Sequence, residues 1–143
     1  PVHLSPVVRT AAHGILDGVS NVKLIEPLDA MDMHRLMDKS FMVMTDSGGI
    51  QEEAPSLGKP VLVMRKETER PEAVAAGTVK LCGVKREDIF RDAEELLTNE
   101  ESYQRMAKAV NPYGDGHACE RIADAILYSK GLSDKMPQAF SAE

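Results

Sequence analysis

The chain has 143 residues, 43% of them hydrophobic and 28% charged, with a formal net charge of −6. That length suits one domain with a real core, and the acidic balance argues against a general nucleic-acid binder, which draws its affinity from Lys and Arg on phosphates. No apolar run nears the roughly 20 residues needed to span a bilayer, so a membrane-inserted protein is not expected.

In chain order, short apolar runs alternate with amphipathic stretches. Residues 22–25, 41–45, 61–64 and 78–81 read as strands, with 2–4 as a possible truncated first member. They lack the apolar/polar alternation of half-exposed strands and so predict a parallel sheet buried on both faces. Helical spacing predicts helices over 7–16, 28–37, 49–57, a short piece around 72–76, then 86–97, 102–110 and 119–128. Strand and helix in alternation predict an α/β fold, a Rossmann-like doubly wound parallel sheet. Residues 1–130 are expected to form the domain and 131–143 a frayed tail. The opening Pro1-Val2-His3-Leu4 has no initiator Met, basic region or signal-peptide pattern, which reads as a piece of a longer protein. Cys82 and Cys119 show no CxxC or metal-type spacing, which fits two buried thiols in a reducing, intracellular setting.

The stretch TDSGGIQEEAPSLGKPVLV, residues 45–63, carries the chemistry. In an open parallel sheet, ligands gather at the carboxyl ends of strands. Gly48 and Gly49 let the backbone approach a ligand closely and permit angles that side chains resist. The helix start offers unpaired N–H groups and about half a positive charge, a seat for phosphate. Ser47 can cap the helix or give its hydroxyl to a phosphate oxygen. A bare SGG is weak evidence by itself, and on the motif alone a glycine turn before a capped helix is the favoured reading. Glu52 and Glu53 suit the first turns of a helix electrostatically, yet Glu53 lies four residues after Gly49 and faces whatever sits on the glycines. A carboxylate there would repel a diphosphate but can accept hydrogen bonds from two ribose hydroxyls. Pro55 should kink or shorten the helix. Arg65, Lys66 and Arg70 bring positive charge to the same sheet edge; Arg70, before Pro71 in a constrained turn, is the chosen binder, while Arg65 and Lys66 can pair with Glu67 and Glu69. The link NPYGDG at 111–116 is turn-rich, either a plain connector or part of the site.

TDSGGIQEEAPSLGKPVLVMRKETERPEAVAAGT, PVHLSPVVR and NPYGDGHACERI together resemble the C-terminal domain of the non-hydrolysing UDP-N-acetylglucosamine 2-epimerases, from residue 1 to about residue 127. The resemblance implies the second domain of a GT-B architecture, with the nucleotide sugar held in the cleft between two Rossmann-like domains. It implies a cytoplasmic homodimer serving cell-envelope polysaccharide synthesis, with no dissociable redox cofactor. The reaction it implies interconverts UDP-GlcNAc and UDP-ManNAc by elimination and re-addition of UDP. Ser47, Gly48 and Gly49 would hold the diphosphate, Glu53 the ribose, and Arg70 would assist substrate binding. Leu28, through its backbone, and Met33 would form the uracil pocket; many relatives carry an aromatic residue where this chain has Met33, whose thioether can also pack on a base. His3 would touch an allosteric UDP-GlcNAc. The acid and base belong to the family's first domain, so no catalytic residue is assigned to these 143 residues, which alone are expected to be inactive. His13 and His34 read as helix-surface residues. The competing readings are the donor-binding domain of a GT-B glycosyltransferase and a nucleotide-sugar sensing module.

Overall fold

A computed structural model describes residues 1–141; the last two residues of the expected tail lie outside the described residues. The chain divides into two compact units, residues 1–36 and 37–143.

The first unit holds α1 (Pro6–Leu16), opened by Pro6 in the first turn, where a missing N–H costs nothing. Residues 2–4 and 22–25 are not strands, against the sequence expectation. A single backbone hydrogen bond joins them, Val2 N–H to the Ile25 carbonyl at 2.9 Å, and one bond does not make a ladder. No residue of 1–36 is buried, so an apolar run there has no core to lie in. Helix α2 (Ala30–Lys39) follows, its start capped by the Asp29 carboxylate, which accepts the Asp32 N–H at 2.9 Å.

The second unit is the α/β domain that the apolar runs predict. Its parallel sheet has strands β1 (Val43–Thr45), β2 (Val61–Val63) and β3 (Val79–Leu81), in the order β1-β2-β3. Val61 pairs with Val43 on one side and Val79 on the other. Only β2 matches the both-faces-buried expectation: Val61, Leu62 and Val63 are fully buried. The flanking strands are edges and expose one residue each, Met44 and Lys80. Lys80 spans out to Asp92, 3% exposed, at 3.0 Å, and Arg91 reaches the same carboxylate at 3.1 Å, so the buried acid is paired twice.

Helix α3 (Gly48–Ser56) connects β1 to β2, and α4 (Pro71–Ala76) connects β2 to β3. Pro55 shortens α3 as its chemistry predicts: the helix ends one residue later, and the chain turns through Gly58 at φ 66°. Gly77, φ 80°, stops α4 in the left-handed conformation. Then come α5 (Arg86–Thr98), α6 (Glu100–Ala107) and α7 (Ala118–Ser129). Asn99 makes the break between α5 and α6, giving one N–H to Glu95 at 2.9 Å and accepting the Ser102 N–H at 3.2 Å. Leu62, Cys82 and Leu96 form a buried cluster, with Met42, Met64, Ile89, Ala93 and Met106 packed on it. Burial pushes the Cys82 thiol pKa up, and its Sγ sits 3.2 Å from the Val63 carbonyl. Cys119 is exposed, which corrects the expectation of two buried thiols: it stands in the first turn of α7, a helix that has no buried residue. Among the described residues no helix is long and apolar enough to cross a membrane.

Candidate functional site

The site is built where β1 stops. Thr45 ends the strand, and its hydroxyl accepts the Ser47 N–H at 3.0 Å, which turns the backbone toward the helix head. Ser47 takes the N-cap position in an extended conformation but its side chain makes no cap bond, so of the two uses open to its hydroxyl the fold does not employ the first. The opening N–H groups of α3, at Gly48 and Gly49, belong to the first turn, where no intrahelical acceptor exists.

Neither glycine needs to be glycine for its backbone angles. Positive φ occurs at Gly18, Gly58, Gly77, Gly83, Gly114, Gly116 and Gly131, whereas Gly48 and Gly49 are plain helical residues. The expectation of side-chain-forbidding angles is therefore corrected; at Gly48 the missing side chain gives clearance, while at Gly49 a Cβ would make only an ordinary contact. A Cβ on Gly48 would collide with Glu69 Oε1 and lie 3.5 Å from its carboxyl carbon, and a Cβ on Gly49 would lie 3.6 Å from Glu53 Oε1. Glu53 thus turns back over Gly49, as its spacing predicts.

Behind this head stands a pin that sequence reasoning missed. Gln51 is fully buried; its Nε2 donates to the Ser47 carbonyl at 3.2 Å and its Oε1 accepts the Thr68 hydroxyl at 2.6 Å. Thr68 Oγ1 in turn accepts the Arg70 N–H at 3.0 Å. One side chain therefore fixes the loop after β1 to the loop after β2. Its only sequence signal is a polar residue on a helix face otherwise formed by Ala54 and Pro55, both buried.

Arg70 caps α4 by position, and its Nε donates to Glu52, while Nη1 reaches the Glu69 carbonyl at 3.2 Å. The Glu52 hydrogen bond and charge push the guanidinium pKa further up. Glu52 is thus more than dipole compensation: it holds Arg70 beside α3. Arg65 pairs with Glu69 at 2.6 Å, the surface pairing expected of it. The Glu69 carboxyl lies below its usual pKa, first through its own backbone N–H and then through Arg65.

The 111–116 link reaches this region and is more than a spacer. Asn111 Nδ2 donates to Ser56 Oγ at 2.7 Å and to the Glu52 carbonyl at 3.4 Å. The buried Tyr113 hydroxyl faces the backbone of Ala73 at the head of α4 without a well-aligned hydrogen bond, and burial pushes its pKa up. Asp115 accepts two bonds from Arg121, each 2.6 Å, and the His117 N–H at 3.1 Å, which ties the link to α7 and holds the Asp115 carboxyl well below the usual range.

The structure brings Ser47, Gly48, Gly49, Glu53 and Arg70 together in the second unit. His3, Leu28 and Met33 belong to the first unit. There the His3 ring accepts the Ser5 N–H at 3.0 Å, Leu28 is 36% exposed just before α2, and Met33 is half-buried within it.

A parallel strand ending in a glycine-headed helix, with arginine and carboxylate at its mouth, places the second unit in the class of α/β domains that gather ligands at the carboxyl ends of their strands. The model of the family described as UDP-N-acetylglucosamine 2-epimerase matches residues 1–127, and the chain belongs to that family. The UDP-N-acetylglucosamine 2-epimerase of Bacillus subtilis is 52% identical over the whole chain, which spans 38% of that relative's length. Among solved structures, S. aureus MnaA with UDP matches 99% of the chain and 39% of its own, at 49% identity and TM-score 0.90. The UDP-GlcNAc 2-epimerase of Neisseria meningitidis, bound to UDP-GlcNAc, matches 89% of the chain and 35% of its own, at 52% identity and TM-score 0.81.

Proposed function

We propose that residues 1–130 are the UDP-binding, C-terminal domain of an enzyme that interconverts UDP-GlcNAc and UDP-ManNAc. The observation that carries this is the head of α3: two glycines whose backbone angles do not require glycine, with the Glu53 carboxylate turned back over the second. The solved relatives holding UDP and UDP-GlcNAc support it.

The C2 proton of an intact pyranose is not next to a carbonyl, so direct deprotonation is unfavourable. Loss of that proton to a base, with the electron pair forming the C1–C2 double bond as the C1–O bond to UDP breaks, gives a 2-acetamidoglucal. Return of UDP to C1 and of a proton to the other face of C2 gives the epimer. UDP is a leaving group that must be stabilised and then retained. The N–H groups of Gly48 and Gly49 and the Ser47 hydroxyl meet the charge growing on the β-phosphate, in the manner of a preorganised anion hole. Glu53 accepts hydrogen bonds from the ribose hydroxyls, where its charge does no harm to the diphosphate. Arg70 adds positive charge, while Leu28 and Met33 receive the uracil and His3 an activating UDP-GlcNAc. The acid and base come from a first domain, the enzyme works as a cytoplasmic homodimer, and its product feeds cell-envelope polysaccharide.

Full-length enzyme incubated with UDP-GlcNAc and no acceptor should form UDP-ManNAc, read by proton NMR of the anomeric region, while residues 1–143 alone should not turn over. A requirement for an acceptor would establish a glycosyltransferase instead. Glu53→Ala should weaken UDP binding by roughly tenfold to a hundredfold, the loss of hydrogen bonds to a charged group. Calorimetry checks this, and an unchanged dissociation constant removes the ribose role.

A further inference from the structure

Arg70 is held by a neighbouring element. Its Nε donates to the carboxylate of Glu52 on α3, and its Nη1 donates to the Glu69 carbonyl at 3.2 Å. Two bonds do not exhaust the five N–H groups of a guanidinium, so the fork keeps donors for a ligand while its plane is fixed. Glu52 is braced in turn. Asn111 Nδ2 donates to Ser56 Oγ at 2.7 Å and to the Glu52 carbonyl at 3.4 Å, which ties the second half of α3 to the 111–116 link. Asn111 Oδ1 accepts the Tyr113 N–H at 3.1 Å, and Tyr113 lies close enough to Arg70 and Glu52 to feel both charges. Asp115 anchors the other end of the link to α7 through Arg121.

We propose that Glu52 and Asn111 are positioning residues for Arg70: the 111–116 link fixes the second half of α3, and Glu52 there holds the guanidinium in the conformation that meets the nucleotide. This rests on the reading of Arg70 as a binder of UDP. The ring of Pro71 restricts the backbone of Arg70 but leaves its long side chain free, so the aim must come from another part of the fold. A free arginine stem samples many rotamers, and ordering it on binding weakens affinity. The Glu52 bond orders it beforehand. The adjacent carboxylates thereby divide the work: Glu53 turns back over Gly49, and Glu52 reaches across to Arg70. Neither Glu52 nor Asn111 needs to touch the ligand for this.

Double-mutant cycles on the full-length protein test this, with UDP affinity read by calorimetry and folding by circular dichroism. Arg70→Ala should weaken UDP binding about tenfold, the loss of a charge-assisted contact. Glu52→Ala should weaken it about fivefold beside a native Arg70, and by less than about twofold once Arg70 is alanine. Glu52→Gln keeps the size and an oxygen for Arg70 Nε, so it should recover most of the affinity. Asn111→Ala is the second arm, independent of whether Glu52→Ala folds. It should weaken binding about threefold, again only where Arg70 is present. Losses that persist undiminished in the Arg70→Ala background would make both residues plain structural supports and overturn the proposal. Unchanged UDP affinity in either Glu52→Ala or Asn111→Ala, with Arg70→Ala weakened, would overturn it too and leave Arg70 standing as a binder. Unchanged affinity in Arg70→Ala would overturn the reading of Arg70 and this inference together.

Discussion

Replacing Gly48 with alanine is expected to leave the domain folded and to cost it about a hundredfold in UDP affinity. The fold has no objection to the methyl group: Gly48 is helical, without positive φ, and alanine is the better helix former. What the Cβ meets is the end of a flexible surface side chain, Glu69, which can rotate away. A phosphate in the same place cannot yield, because it must approach the backbone N–H groups within about 3 Å to bond them. Losing one or two charge-assisted hydrogen bonds of about 1.5–3 kcal/mol each accounts for the factor. A melting temperature near that of wild type together with lost UDP binding by calorimetry is the expected pair of results. Retained affinity would mean that the diphosphate sits elsewhere.

Gln51→Ala should destabilise the protein by about 2–4 kcal/mol and lower its Tm on the order of 10 °C. Gln51 is fully buried, so truncation leaves a cavity, and it strands the Thr68 hydroxyl and the Ser47 carbonyl that it bonds. Because those groups belong to the two loops that carry the glycines and Arg70, UDP affinity should fall with stability. Gln51→Leu fills most of the volume without the hydrogen bonds. It should recover part of the stability but little of the affinity if Gln51 acts by pinning the loops. Full recovery of both would reduce Gln51 to a packing residue. Denaturant melts paired with UDP titrations separate the outcomes.

These two residues mark the boundary of what the sequence discloses. The local geometry at the head of α3 was legible because it is set by chain geometry alone: a strand end, a helix start, and Glu53 four residues after Gly49 and turned back over it. The position of Arg70 at the head of α4 was legible for a similar reason, fixed by Pro71. Gln51 was not, since its partner Thr68 lies 17 residues away and only the folded loops bring them together. The same holds for Glu52 with Arg70 and for Asn111 with Ser56, 18 and 55 residues apart. Glu69 against Gly48 is likewise a tertiary encounter. Among the strands, Val61-Leu62-Val63 could be read because it lies at the centre of its sheet; residues 22–25 have the same apolar character but only one backbone bond to a neighbouring run. Apolar composition marks a segment that can be buried, and pairing decides whether it becomes a strand.

A crystal structure of the full-length protein with UDP tests the central claim most directly. The account predicts diphosphate oxygens within about 2.7–3.1 Å of the Gly48 and Gly49 N–H groups and the Glu53 carboxylate on the ribose hydroxyls. A diphosphate bound away from the head of α3, with Glu53 turned from the ribose, would contradict it.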